Sequence, residues 1–274
     1  MKRYLVLHRD FDLRARILEP GYADQMAPKA KAAWQQQVND LATSLASQHG
    51  MENLQVKFQN LADLGAKPLS LVSFHNVFFN EARHAFIQGC YYPSLTGICA
   101  LGERVLNHLV LLFRDQFKLT PQYKKVYGKN SFDNWSLAID TLEAWGILLT
   151  ETAAVFREFK ATRNSAIHFR PDLDQECRGP ALKALHEFNQ IIELQFASFG
   201  KLPWYLTEVR GSSYIRKAFE LHPFVKGVVL PNCALVGPKA TLEFMNPGWR
   251  AIDDNDYPDV EISDADFAQL VDPR

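Results

Sequence analysis

The stretch Phe159-Lys160-Ala161-Thr162-Arg163-Asn164-Ser165-Ala166-Ile167-His168-Phe169-Arg170-Pro171 sets a guanidinium, an amide and an imidazole close together in the chain. Those are the groups that breaking an RNA strand calls for. The 2′-hydroxyl is an internal nucleophile, so a protein must align it, take its proton and stabilise charge on the phosphate. A histidine moves protons near neutral pH. An arginine offers two parallel hydrogen bonds to phosphate oxygens and keeps its charge. An asparagine can orient either neighbour. This chemistry requires no metal ion.

Such a set works only if it shares a surface. On a helix turning about 100° per residue, Asn164 and His168 lie about 40° apart and one turn from each other. Lys160 and Arg157 continue the stripe toward the N-terminus. Arg163 lies about 100° to one side of Asn164, with a side chain long enough to lean over the same surface. Arg157, Lys160, Arg163 and Arg170 face only Glu158 in this segment, so Arg157, Lys160 and Arg170 are candidate RNA contacts. The structural alternative is an ordinary helix C-terminus, where His and Arg interact favourably with the dipole. The spacing alone has little specificity. It recurs at Arg3-Tyr4-Leu5-Val6-Leu7-His8, which has no polar second residue and no helical context.

The elements that must position this stripe read as helices. Residues 69–200 carry apolar residues at 3- and 4-residue steps. Phe74, Phe78, Phe79 and Phe86 suit one helix face and read as core or dimer contact. Tyr91-Tyr92-Pro93 breaks or kinks that run. Ile98, Leu101, Val105, Leu109 and Leu112 then give a sustained stripe from Ser94 to Phe117, with Glu103, Arg104 and His108 as its polar exceptions. His108 reads as a hydrogen-bonded interior residue. A basic connector from Gln122 to Asn130 holds Lys124 and Lys125 beside Tyr123 and Tyr127, a set able to contact RNA by charge and stacking or to form a solvated loop. Helical spacing resumes over 150–168 and 180–199.

Around this region lie two others. Residues 1–68 contain one helix, about residues 28–48, ended by His49-Gly50. Residues 206–274 alternate short β-prone runs (Val225–Leu230, Ala234–Val236, Thr241–Phe244) with Pro and Gly breaks, the signature of a small antiparallel element. The expected division is thus 1–68, 69–205 and 206–274: a mainly α protein with a small β-rich C-terminal element.

With 274 residues, 47% of them hydrophobic, the chain has material for a real core, which excludes disorder and a small disulfide scaffold. The net charge is −1, unevenly spread. Asp253, Asp254, Asp256, Asp259, Glu261, Asp264, Asp266 and Asp272 face only Arg274 in the last stretch, leaving a modestly basic body and an acidic tail able to shield it. Four cysteines form no Cys-x-x-Cys pair, so neither a zinc site nor a disulfide framework is expected. No Walker loop, Gly-x-Gly-x-x-Gly, His-Glu-x-x-His or Gly-x-Ser-x-Gly is present. No uncharged run reaches the roughly 18 residues of a membrane helix and no signal peptide is evident. The expected location is the cytoplasm.

The sequence resembles the HEPN superfamily, whose RNase members carry Arg-polar-x-x-x-His near the end of a helix in an all-α bundle. Here the motif reads Arg163-Asn164-Ser165-Ala166-Ile167-His168. The resemblance extends to Tyr91-Tyr92-Pro93-Ser94-Leu95-Thr96-Gly97 running into Leu101-Gly102-Glu103-Arg104-Val105-Leu106, similar to the family's early helix with an internal acid, and covers residues 70–200. It implies an antiparallel helical bundle and a metal-independent endoribonuclease without cofactor, leaving 2′,3′-cyclic phosphate and 5′-hydroxyl ends. It further implies catalytic roles for Arg163, Asn164 and His168, with Glu103 as the acid that holds Arg163 or His168. RNA is the expected partner, a homodimer through the bundle the expected assembly, and a toxin or antiviral effector triggered by a regulatory protein the expected setting. No membrane partner is expected. Two other readings stay open: a non-catalytic HEPN-like module binding RNA, nucleotide or protein, and a purely structural subunit.

Overall fold

The structure is a computed structural model. It describes residues 1–7, 10–19, 21–24, 26–71, 73–167, 176–245 and 248–271, with the side chains of Ser73, Phe74 and Ile167 outside that set. His168, Arg170 and Pro171 lie outside the described residues, as do His8, Asp272 and Arg274.

The chain is mainly helical. In chain order, β1 (Arg3–Val6), β2 (Asp10–Asp12) and a 3-10 turn (Arg14–Leu18) precede α1 (Pro28–His49), α2 (Leu54–Leu64) and β3 (Lys67–Ser70). Then come α3 (Ser73–Ile87), α4 (Tyr91–Phe113), α5 (Tyr123–Val126), α6 (Trp135–Ala144), α7 (Thr150–Ile167) and α8 (Arg178–Ile191). β4 (Cys233–Val236), the β5 (Thr241–Met245) and β6 (Gly248–Ile252) pair, and α9 (Asp264–Val271) follow, with short 3-10 and π turns between the larger elements.

Helix α4 is central to the bundle because one broad apolar face runs its whole length. Leu95, Ile98, Leu101, Val105, Leu106, Leu109, Val110 and Phe113 are all buried, against α3, α6, α7 and α8. A wide apolar face packs on several neighbours at once, while Arg104 and His108 lie on the exposed side. By length and composition, Tyr91–Phe117 could cross a membrane, and half of its most apolar window is buried inside the protein. Helix α7 contributes Val155, Phe156 and Phe159, while α8 contributes Leu185, Phe188 and Ile191. Phe188 is the aromatic hub, 5.1 Å from the Phe79 ring and 6.1 Å from Phe159. Phe79 and Phe86 are buried as their spacing predicts, whereas Phe78 is exposed and Phe74 lies outside the described side chains.

The terminal regions depart from expectation. Among the described residues, the first 68 hold two α-helices where one was expected, and Leu41, Leu45, Leu61 and Leu64 join the same core as α4. β1 pairs antiparallel with β4, Arg3 opposite Val236 and Val6 opposite Cys233, so the N-terminal segment and the C-terminal element share a sheet. Long-range pairing of this kind leaves no local trace in sequence. The run Val225–Val229 is a wide helical turn, not a strand. Phe224, Val225 and Val229 are buried at helical spacing, and Gly227 allows the approach: a Cβ there would stand 2.7 Å from Phe113 Cε1. Thr241–Met245 and Cys233–Val236 are strands, as their β-prone runs suggest.

Several residues of the acidic tail engage β1 and its neighbours. Arg3, 1% exposed, donates from Nε to Asp264 Oδ1 (2.9 Å) and from Nη2 to the Ile262 carbonyl (2.5 Å). Its guanidinium also lies 5.4 Å from the Phe267 ring. Lys217 pairs with Glu261, and Asp253 accepts from the Gly237 amide. Phe267 and Ala268 seal a small second core with Leu5, Leu206, Val209, Tyr214 and Val236.

Candidate functional site

The site forms where α4, α6 and α7 come within side-chain reach. Its approach depends on Gly102. A Cβ at that position would stand 2.5 Å from Phe159 Cε1 and 2.7 Å from Trp135 Cη2, so only glycine lets both rings lie on α4. Asn134 caps α6 by accepting from the Leu137 amide (3.2 Å), which starts the helix with Trp135 pointing inward. The next residue of α4, Glu103, then meets the indole edge: Trp135 Nε1 donates to Glu103 Oε2 at 3.2 Å. Asn107, one turn on, ties the segment before α6 to α4 by donating to the Phe132 carbonyl (3.0 Å) and accepting the Phe132 amide (2.6 Å).

Arg163 reaches this acid from α7. Its Nη2 donates to the same Glu103 Oε2 at 3.1 Å, and its Nη1 donates to Asn164 Oδ1 at 3.2 Å. The guanidinium carbon lies 6.0 Å from the Trp135 ring centroid. Carboxylate, amide and indole thus hold one guanidinium, with the Arg163 side chain 20% exposed and that of Glu103 36% exposed. Arg163 Nε is buried and meets no hydrogen-bond acceptor among the described residues. Beneath it, burial pushes the Cys99 thiol up to about 12, and the Arg163 charge acts the other way. That thiol stays protonated and is no nucleophile. Burial likewise raises the Glu187 carboxyl above its ordinary value.

The arrangement can hold an anion-binding fork in one rotamer and supply an amide next to it. Arg163, Asn164 and Glu103 are therefore together in space. His168 and Arg170 lie outside the described residues. The other candidates are placed differently. Arg157 Nη2 is bound to Asp140 (2.8 Å) and Glu143 (2.5 Å) of α6, so its charge is committed to two carboxylates. Lys160 Nζ donates to Ser136 Oγ at 2.7 Å, also on α6. Lys124 and Lys125 are exposed on α5. That element follows the C-terminal end of α4, about 15 Å along the helix from Glu103, so the structure does not bring them to Arg163.

Sequence reasoning did not single out Trp135 as a site residue. Its contact with Glu103 spans 32 positions, and only a lone indole N–H beside a helix cap hints at it. His108 is exposed, yet its Nδ1 lies 3.1 Å from Nε2 of buried His75. Burial, then the charges of His108 and Arg104, push His75 down to about 3. Among the described residues, no three His, Cys, Asp or Glu side chains converge as metal ligands would.

Comparison of the chain with protein-family models, with curated proteins and with solved structures finds no match in any of the three. What the fold and site define is a mainly helical protein with an acid-braced Arg-Asn pair near the end of a bundle helix.

Proposed function

We propose that the protein is a metal-independent endoribonuclease of the HEPN type, acting on RNA through Arg163, Asn164 and His168 with Glu103 as the positioning acid. One observation carries the reading: Glu103 Oε2 fixes the Arg163 guanidinium at 3.1 Å while Asn164 flanks it. A surface arginine meant only for a helix end needs neither an acid from another helix nor an indole against its face. In this reading Arg163 binds the scissile phosphate and His168 moves the proton between the 2′-hydroxyl and the leaving 5′-oxygen. The 2′-oxygen bonds to phosphorus as the 5′-oxygen bond breaks, leaving a 2′,3′-cyclic phosphate and a 5′-hydroxyl. A homodimer through the bundle would bring two such sites together, in the cytoplasm, in a toxin or antiviral setting under a regulatory partner.

The test is incubation of end-labelled RNA with the protein in EDTA, beside Arg163→Ala and His168→Ala. Cleavage by the wild type alone supports the reading. Fragments from all three proteins overturn it. A second reading, a HEPN-like module that binds RNA or a protein without cutting, draws on the engagement of Arg157 and Lys160 with α6. Salt-sensitive RNA binding with no fragments would select it.

A further inference from the structure

A second cleft, sharing no residue with the Arg163 site, lies where the Arg14–Leu18 turn, the end of α1 and the end of α3 meet. It has a volume of about 750 Å³ and is lined by Arg14, Gln48, His49, His84, Gln88 and Cys90. We propose that this cleft is a binding site for a phosphoryl dianion, held between the Arg14 guanidinium and the imidazoles of His49 and His84. The inference stands apart from the reading of the Arg163 site.

Geometry comes first. Asp12 fixes the Arg14 fork, taking Nε at 3.0 Å and Nη2 at 2.8 Å, while Nη1 donates to Gln48 Oε1 at 2.9 Å. Asp12 fills that edge, but Nη1 and Nη2 each keep one further N–H on a guanidinium already held in one rotamer, which lowers the cost of ordering it around an oxyanion. The His49 and His84 rings stand edge to face, 5.4 Å apart at 90°. His49 Nε2 is buried and finds no partner among the described residues; in its N–H form it requires an acceptor that they do not supply. Of the two features that repel an anion, the Asp12 carboxylate is neutralised by Arg14, and the α1 carbonyls are covered. The C-terminal carbonyls of α1 carry partial negative charge, and Lys57 Nζ donates to His49 O (2.7 Å) and Gly50 O (3.2 Å), with Gln88 Nε2 adding a bond to His49 O (3.2 Å).

Charge agrees with geometry. The groups facing the two imidazoles are Arg14 from the turn, Lys57 from α2, Lys67 from β3, Arg83 from α3 and Asp12 from β2. Lys67 is held by Asp10 at 2.5 Å, and Arg83 stays cationic although burial lowers it to about 10. Four cations face two carboxylates. Burial, the neighbouring His84 and the charges of Arg14 and Lys57 depress His49. Burial and then Arg14 depress His84, with Asp12 opposing. Both shifts favour the neutral rings, and a dianion would reverse the sign of the potential they feel, so binding would draw in protons. The volume exceeds that of a bare phosphate ion, which leaves room for the organic part of a phosphate monoester.

Phosphoryl groups come from two sources, a free small phosphate ester or the 5′-phosphate of an RNA strand. The experiment is a titration of the full-length protein with inorganic phosphate, following the histidine ring resonances by NMR. The expected result is saturable movement of the His49 and His84 signals, with each titration midpoint raised by about one pH unit or more. His84→Gln, an exposed position, should weaken phosphate by about tenfold, and His49→Gln should do the same. A 5′-phosphorylated RNA oligonucleotide that displaces phosphate, where its 5′-hydroxyl twin does not, assigns the RNA end as the source; retention of phosphate against both assigns the free ester. Unmoved resonances overturn the proposal. So do equal shifts from chloride at matched ionic strength, or affinity unchanged in both histidine variants.

Discussion

Replacing Glu103 by glutamine isolates the contact on which the site rests. The substitution keeps the side chain's size and one carbonyl acceptor, and removes the negative charge. Glu103 Oε2 now receives two donors, Arg163 Nη2 at 3.1 Å and Trp135 Nε1 at 3.2 Å. The indole bond is neutral on the donor side and survives. The ionic bond does not. A fully buried hydrogen bond to a charged partner contributes about 1.5–3 kcal/mol, but these side chains are 20% and 36% exposed, so solvent screens the pair toward the surface value of about 1 kcal/mol or less. The expected loss is therefore about 1 kcal/mol in stability, read as a shift of the urea midpoint without a change in slope. A double-mutant cycle with Arg163→Gln should return a coupling of about 0.5–1 kcal/mol. RNA cleavage should fall far more, by about 10- to 100-fold, because a guanidinium released from its brace no longer meets the phosphate in one geometry. A coupling indistinguishable from zero, together with an unchanged cleavage rate, would refute the positioning argument.

Other perturbations follow from the same contacts. Gly102→Ala drives a methyl into Phe159 and Trp135; overpacking costs about 1–3 kcal/mol and helix propensity returns up to about 1, so net destabilisation with a shifted Trp fluorescence spectrum is expected. Buried His75 is held at about 3 against an ordinary 6.5, so the unfolded chain binds more protons below pH 6.5. Stability should then fall with decreasing pH by about 1.4 kcal/mol per unit from this group alone, and His75→Gln should flatten that slope in pH-dependent urea melts. Arg3→Met removes the contacts to Asp264 and the Ile262 carbonyl; amide exchange in α9 should accelerate while that in α4 stays unchanged.

Much of the bundle was legible because its elements announce themselves locally. The stripe from Ile98 to Leu112 has one period, and α1 ends at His49-Gly50 as its glycine suggests. Local signals fail where distant segments decide the outcome. Val225–Val229 reads as β-prone by residue type, yet burial of Phe224, Val225 and Val229 beside Phe113 makes it helical. The β1–β4 pairing and the Arg3 contacts to the tail join opposite ends of the chain, so three apparent segments share one main core. At the site, Arg163 and Asn164 stood out by type and spacing. Trp135 did not, because an indole that brackets an acid looks like any other apolar residue on a helix. The apparent basic stripe was misleading for a physical reason: Arg157 and Lys160 point at Asp140, Glu143 and Ser136 of α6, acceptors that sequence order cannot place opposite them.

The most direct measurement is the chemistry of the ends left on RNA after exposure to the protein in EDTA, wild type beside His168→Ala. The account predicts 2′,3′-cyclic phosphate and 5′-hydroxyl termini from the wild type and intact RNA from the variant. Products ending in 3′-hydroxyl and 5′-phosphate, or equal cleavage by His168→Ala, would contradict it.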